Sequence, residues 1–378
     1  MTEEIQPVEP QDTGIDINVP DIPLPSAAVE DKSIKDTFNG AFKFAFIGAG
    51  QGGSRIAQAF YQLGYRRVCA INTAEQDLAT IQLPAANKMC LGGGGAGKDP
   101  NIAAKVYREK REDVLDFMKR SFGPEVDRIF VCISAGGGTG NGCAMELINT
   151  AHELSAALRR PINVGVIVAL PKNLEGSKVC VNAYTLMTQL SDAVGRGLIT
   201  PMIILDNERI ESIYPGLAVD PFWTTANRSI ASLFHLFNTT AVQSSHYTSF
   251  DQKDFESILN AGLIIFGATP VYKWQEQSDI SFAVRDNLKR NMLAGGIDLS
   301  TGSVAGAIII GSQIILNQVP QANLDHAFEQ LSRLLKGGNM IHRGIYRGNK
   351  ENLVVYTMVG GLEQPKERIA ELKKLGGV

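Results

Sequence analysis

Three glycine-rich runs are the segments of this sequence best equipped for chemistry: Gly48-Ala49-Gly50-Gln51-Gly52-Gly53, Leu91-Gly92-Gly93-Gly94-Gly95-Ala96-Gly97-Lys98-Asp99-Pro100, and Ser134-Ala135-Gly136-Gly137-Gly138-Thr139-Gly140-Asn141-Gly142. Glycine lets backbone come close to a ligand, and the helix that follows such a run offers unpaired N–H groups and a positive potential. Nests of this kind hold phosphate without an excess of Lys or Arg. The first run contains GxGxxG, which in a dinucleotide-binding domain is followed by an acid about twenty residues on that holds the ribose. Asn72-Thr73-Ala74 stands there instead, which argues against a nicotinamide-dependent oxidoreductase. The second run has Gly97-Lys98 but continues with Asp99 and Pro100, so it lacks the magnesium-binding hydroxyl of a P-loop. So dense a run of glycine costs entropy unless backbone must pass close to something. The third run sets the Thr139 hydroxyl at the centre of a nest.

Other reactive residue types are scattered. Cys69, Cys90, Cys132, Cys143 and Cys180 form no CxxC pair and no disulfide-like cluster, and read as reduced, small buried hydrophobes. The five histidines lack metal-ligand spacing, so no metal cage is expected. A formal net charge of -3, with basic residues spread through the chain, gives no electrostatic reason for direct nucleic-acid or membrane binding. The opening Met-Thr-Glu-Glu-Ile lacks a signal-peptide pattern, and no apolar run approaches the roughly eighteen residues of a membrane span. A cytoplasmic protein is expected.

The elements that must position these runs are legible from Phe42 onward. Phe44 to Ile47, Val68 to Ile71, Arg128 to Ile133, Asn163 to Leu170 and Pro201 to Leu205 are short apolar runs separated by helical periods. That alternation predicts a parallel sheet with helices on both faces, and ligands then sit beyond the carboxyl ends of the strands, where the glycine runs fall. A stretch with few breakers after Trp223 predicts a long helix bridging two domains. Beyond it, Leu263 to Phe266, Ala305 to Ile310 and Leu353 to Met358 are expected strands, while Leu324, Phe328, Leu331 and Leu335 fall at helical spacing as core. Residues 1–39, rich in proline and acids, are expected to be a disordered tail, within which Ile17 to Pro25 is either a short docking segment or an extended tether. The domains expected are 40–221 for the ligand, 222–248 for the central helix, 249–362 for a smaller mixed α/β domain, and a short charged tail over 363–378.

At Gly137 to Gly142 the third run resembles the tubulin/FtsZ signature GGGTG(S/T)G, with Asn141 at the variable position. The resemblance covers essentially Phe42 to Gly361, is closer to FtsZ than to tubulin, and implies the α/β tubulin/FtsZ fold, with a Rossmann-like GTPase domain. It implies GTP or GDP as ligand, with Mg2+, held by Gly50, Gln51, Gly52 and Gly53, by Asn72, by Gly95, Ala96 and Gly97, and by Gly136, Gly137, Gly138, Thr139, Gly140 and Asn141. By the same resemblance Glu175, in Leu174-Glu175-Gly176, contacts the ribose and Asn207 belongs to the nucleotide site. Trp223 stacks on the base and Asn227 reads guanine, for which an amide offers both a donor and an acceptor. Ser249-Phe250-Asp251-Gln252-Lys253-Asp254-Phe255 resembles the NxDxxD loop that enters the nucleotide site of the next subunit, which makes Asp251 and Asp254 the implied catalytic residues; helix capping is the plain alternative for both. The chain departs from the pattern at Ala74, often acidic, at Ser249 in place of Asn, and at Val179 in place of an Arg, with Lys178 beside it. The expected function is an assembly-activated GTPase that polymerises head to tail with itself, with room for an adaptor on the N-terminal tail. The alternatives are a non-hydrolysing scaffold of the same family and the oxidoreductase disfavoured above.

Overall fold

Short apolar runs become strands because each is buried on both faces, and the helices between them supply the cover. The computed structural model describes residues 34–216, 218–290, 292–293, 295–336, 340–349 and 351–378, and of residues 219–222 the backbone only. Along the chain it has β1 (Phe44–Ala49), α1 (Gly50–Gln62), β2 (Val68–Asn72), α2 (Glu75–Ala79), β3 (Lys88–Cys90), α3 (Pro100–Glu109), α4 (Arg111–Phe122), β4 (Arg128–Ser134) and α5 (Thr139–Ala157). There follow β5 (Asn163–Leu170), α6 (Ser177–Gly195), β6 (Met202–Asp206), α7 (Asn207–Ile213) and the long α8 (Val219–Thr240). The second half holds α9 (Gln252–Leu259), β7 (Leu263–Val271), α10 (Gln277–Arg290), β8 (Val304–Gly311), α11 (Gln313–Leu316), α12 (Gln321–Leu334), β9 (Met340–Arg347), β10 (Leu353–Leu362) and α13 (Lys366–Gly376).

The strands form one sheet in the order β3-β2-β1-β4-β5-β6-β7-β10-β8-β9. From β3 to β6 every pairing is parallel, with β1 at the centre between β2 and β4. The order reverses at β1, so a crevice opens beyond the carboxyl ends of β1 and β4, where the first and third glycine runs begin. The second part of the sheet is mixed: β10 is antiparallel to β7 and β8, and β8 is parallel to β9. A single bridge, Met202 to Leu263, joins the two parts. This is the α/β architecture expected from the alternating pattern, with a Rossmann-like unit, a long helix and a smaller mixed unit.

Aromatic packing holds α8 against the centre of the sheet. The Phe234 ring lies 5.0 Å from Phe44, 5.4 Å from Phe130 and 5.9 Å from Phe60. Removing so enclosed a ring costs about 3–5 kcal/mol, so Phe234 is a principal tie between α8 and β1.

Several boundaries differ from expectation. Residues 34–39, counted with the tail, pack on the domain: Asp36 pairs with Arg67 at 3.1 Å, and Phe38 meets Tyr65 and His235 edge-on at 4.6 and 4.4 Å. Residues 17–25 lie outside the described residues. The central helix stops at Thr240 rather than at 248, its last turn held by the Ala41 N–H on the Asn238 carbonyl. Residues 363–378 include α13, not a free tail, because Leu372 is buried and Arg368 reaches into the first domain. The short β3 and the polar edge strand β9 were not anticipated from their sequences.

Candidate nucleotide site

The three glycine runs converge. Gly50 opens α1 with φ +69°, a left-handed backbone that favours glycine, and a Cβ there would sit 2.9 Å from the Gly140 nitrogen. At Gly53 a Cβ would meet the Cys132 carbonyl oxygen at 2.1 Å, so α1 lies directly against β4. The first turns of α1 and α5, each with unpaired N–H groups, are thereby brought side by side. The second run closes over them: a Cβ on Gly138 would fall 2.7 Å from the Ala96 Cβ, and one on Gly142 would fall 2.1 Å from the Pro100 carbonyl oxygen. Gly92, Gly93, Gly94, Gly95 and Gly97 all have φ in the left-handed range, and the amides of this run turn in ways that other residues adopt only with strain.

Side chains fix the runs to one another. The Thr73 and Thr139 hydroxyls lie 2.7 Å apart, and Thr139 Oγ1 donates to Asn72 Oδ1 at 3.2 Å. Asn72 Oδ1 also accepts from the Ala74 N–H, while its Nδ2 donates to Asp77 Oδ2. Asn72 is thus occupied in joining β2 to the third run. Asn141 Nδ2 donates to the carbonyls of Ala135 at 2.6 Å and Asn182 at 2.9 Å. Asn182, on α6, donates in turn to the carbonyls of Lys98 at 3.0 Å and Gly136 at 3.2 Å. Sequence reasoning missed Asn182; its signal was a lone amide among the buried Val179, Cys180, Ala183 and Leu186 of α6. Val179 fills the floor under Gly136, and Lys178 is exposed.

Glu175 and Asn207 stand after the neighbouring strands β5 and β6. Glu175 is exposed and accepts from the Lys172 N–H at 2.7 Å, while Asn207 is buried at the start of α7. A second residue that sequence reasoning missed secures both loops: Arg368, from α13, donates to the Pro171 carbonyl and the Asn173 side chain and lies 2.9 Å from Asp206 Oδ2. Burial pushes the Asp206 carboxyl above its usual range, against the pull of the Arg368 charge.

Trp223 and Asn227, one turn apart at the start of α8, line a cavity of about 410 Å³ with Arg55, Gln58, Gln62 and Gln82. The cavity runs along α1, whose first turn is the first glycine run, and its size suits a small-molecule group. The amides of the first glycine run and an amide-rich cavity beside an aromatic ring are therefore continuous along one helix.

Asp251 and Asp254 are not part of this cluster. They form a capping box at the start of α9: Asp251 Oδ1 accepts from the N–H groups of Lys253 and Asp254, and Asp254 Oδ2 accepts from the Asp251 N–H. Ser249 braces the same loop by accepting from the Ser245 N–H. Helix α9 packs at the amino ends of the strands, since Asn260 at its end accepts from Arg128 at the start of β4 and from Asn163 at the start of β5. The glycine runs lie at the carboxyl ends of those strands. With seven residues in β4, the two sites are separated by about 20 Å or more of sheet. Among the described residues no group of three His, Cys, Asp or Glu side chains comes together to hold a metal, and none of the described helices is long and apolar enough to cross a membrane.

Comparison with known proteins agrees with this geometry. Residues 43–215 match the GTPase domain of the tubulin/FtsZ family. The chain is similar to the tubulin-like protein TubZ of Bacillus cereus, 25% identical over 247 residues, covering 60% of this chain and 54% of that one. It is also similar to the cell division protein FtsZ 1 of Pyrococcus furiosus, 26% identical over 219 residues, covering 55% and 53%. The chain thus spans about half the length of these curated relatives. Its fold matches the crystal structure of a GTPγS-form protofilament of TubZ from Bacillus thuringiensis serovar israelensis, with a TM-score of 0.79 at 18% identity over 90% of this chain and 92% of that one. The three converging glycine runs all lie within residues 43–215, the stretch of the chain that matches the GTPase domain of the tubulin/FtsZ family.

Proposed function

We propose that the chain binds GTP across the three glycine runs and the Trp223–Asn227 cavity, assembles head to tail into filaments, and hydrolyses GTP only where a second copy supplies Asp251 and Asp254. The observation that carries this is the placement of the two carboxylates at the opposite end of the sheet from the phosphate nests. One chain holds half of a hydrolytic site at each end, and stacking copies along one axis joins the halves. The filament form of the structurally similar TubZ is consistent with that stacking.

In this scheme the amides of Gly50 to Gly53, Gly95 to Gly97 and Gly136 to Asn141 hold the phosphates, with Thr139 donating from the centre of the nest. Trp223 stacks on the base, and Asn227 pairs with its edge. Asp254 of the incoming copy takes a proton from the attacking water, with Asp251 orienting it. The water oxygen bonds to the terminal phosphorus as the bond to the β–γ bridging oxygen breaks, and that electron pair leaves on GDP. The residues at the nest suit a magnesium ion that arrives on the nucleotide, because they offer hydroxyl and amide oxygens without a carboxylate cage; when bound, it would neutralise phosphate charge.

Turnover per subunit should rise with protein concentration together with sedimentable filament, and Asp254→Ala should retain GTP binding and filaments while turnover falls to background. Turnover per subunit that is independent of concentration would refute a shared site. A GTP-holding scaffold without turnover is the second reading, favoured by both Asp254 oxygens being already engaged within α9 and β9; wild-type filaments that never release phosphate would establish it.

A further inference from the structure

Behind Asp254 lies a chain of polar contacts that the scheme above does not use. Asp254 Oδ1 is 2.6 Å from His342 Nδ1, His342 Nε2 is 2.7 Å from Ser257 Oγ, and Ser257 Oγ is 2.8 Å from the Asp254 carbonyl oxygen. We propose that His342, on β9, is a positioning residue for Asp254 that holds its carboxylate for water activation in the neighbouring copy. This rests on the reading of Asp254 as the group that takes the water proton.

The proton pattern follows from the donor inventory. A carboxylate only accepts, so His342 Nδ1 carries a hydrogen. Ser257 has one hydroxyl hydrogen and two candidate acceptors. Pointed at Nε2, it leaves His342 neutral. Pointed at the Asp254 carbonyl, it frees Oγ to accept from a protonated Nε2. Rotation of one hydroxyl therefore satisfies both charge states of the imidazole without loss of a hydrogen bond.

The surroundings leave this pair electrostatically distinct. On α9 and its cap the charged groups are Asp251, Lys253, Asp254 and Glu256, and Lys253 is paired with Glu256 at 2.7 Å. On β9, Arg343 points to the opposite face, over Phe328 of α12 and 3.8 Å from Asp325, and Tyr346 is bonded to the Phe250 backbone. Across the strand pair, β8 places Gly306 opposite His342, and the Phe250 ring meets the imidazole edge-on at 6.4 Å. His342 is itself largely enclosed, at 15% side-chain exposure.

The test is steady-state GTP turnover by the full chain, with GTP affinity and filament sedimentation measured alongside. His342→Leu should lower kcat by about 10- to 100-fold, as small misplacements of a reacting group do, with affinity and sedimentation within about twofold of wild type. His342→Asn, which keeps an N–H near the Nδ1 position, should recover most of the loss. Ser257→Ala, which removes the partner of His342 Nε2, should retain filaments and lower kcat by a smaller factor than His342→Leu, which keeps the proposal testable if His342→Leu fails to fold. An unchanged kcat in His342→Leu, or in Ser257→Ala where His342→Leu fails to fold, overturns the proposal. Asp254→Ala separates the two levels: full turnover in that variant removes the underlying reading, while a dead Asp254→Ala beside a wild-type His342→Leu removes only the role of His342.

Discussion

Asn182→Ala isolates the residue on which two of the glycine runs depend. Its side chain is about nine-tenths buried and its amide donates to Lys98 and Gly136 carbonyls from two different runs. Lys98 sits on an exposed loop and its carbonyl can turn to water, whereas Gly136 is buried. The variant therefore strands one buried acceptor, which costs ~1–3 kcal/mol of folding stability. The second run loses a tether as well, and among the described residues it has few others: the Leu91 N–H on the Asn72 carbonyl and the Gly95 N–H on the Thr73 carbonyl. Ordering one freed residue again on binding costs ~1–2 kcal/mol, equivalent to roughly a 5- to 30-fold weaker GTP complex at 1.4 kcal/mol per decade. By its resemblance to the tubulin/FtsZ loops the second run is assigned to the terminal phosphate, so GDP, which lacks that group, should lose less. The assay is nucleotide binding by calorimetry at protein concentrations below filament formation, with urea unfolding in parallel. Asn182→Asp, which turns an acceptor toward both carbonyls, should be at least as damaging. Equal losses for GTP and GDP would refute the assignment of the second run to the terminal phosphate. Unchanged affinity for both would refute the stapling role itself.

Gly142→Ala should lower the urea midpoint by an amount equivalent to ~1–3 kcal/mol, because the new Cβ falls 2.1 Å from the Pro100 carbonyl oxygen and α3 must move away from α5. His235 is buried between Phe38 and Tyr65, and burial lowers it to about 4. Its neutral form therefore contributes stability that is present above the usual imidazole value and is lost as the pH falls toward 4. Between pH 7 and 4.5 the wild type should lose ~2 kcal/mol more unfolding free energy than His235→Gln, and parallel curves would exclude the imidazole as the source. Cys90 is exposed while Cys69, Cys132, Cys143 and Cys180 are buried, with burial pushing Cys143 up to about 12. Thiol titration of the folded chain should give one fast equivalent that disappears in Cys90→Ser.

What was legible in the sequence was local. A glycine run between an apolar stretch and a helical period states its own backbone geometry, so the first and third runs and the strands beneath them could be placed within a residue or two: β5 is Asn163–Leu170 as expected, and β1 extends the expected Phe44 to Ile47 by two residues. The polar edge strand β9 could not be read that way, because Met340-Ile341-His342-Arg343 faces an edge rather than a core and carries no alternating apolar signal. Nor could α13, where Lys366-Glu367-Arg368 reads as a solvated charge run.

The missed residues share a cause. Asn182, His342 and Arg368 each act on partners far away in sequence, 84, 85 and 197 positions for the contacts to Lys98, Ser257 and Pro171, and no local period records such a contact. All three occupy positions where a polar group is enclosed, which is costly unless its hydrogen bonds are made. Two of them brace the loops around the proposed nucleotide site and the third braces the carboxylate proposed to complete it. The nests are backbone structures that glycine alone can form, but nothing in a glycine run keeps it in one conformation. Asn182 on α6 holds two of the runs, Arg368 on α13 the loops after β5 and β6, and His342 on β9 the distant carboxylate, so perturbing those three residues tests the proposed site without touching any group that would contact the nucleotide.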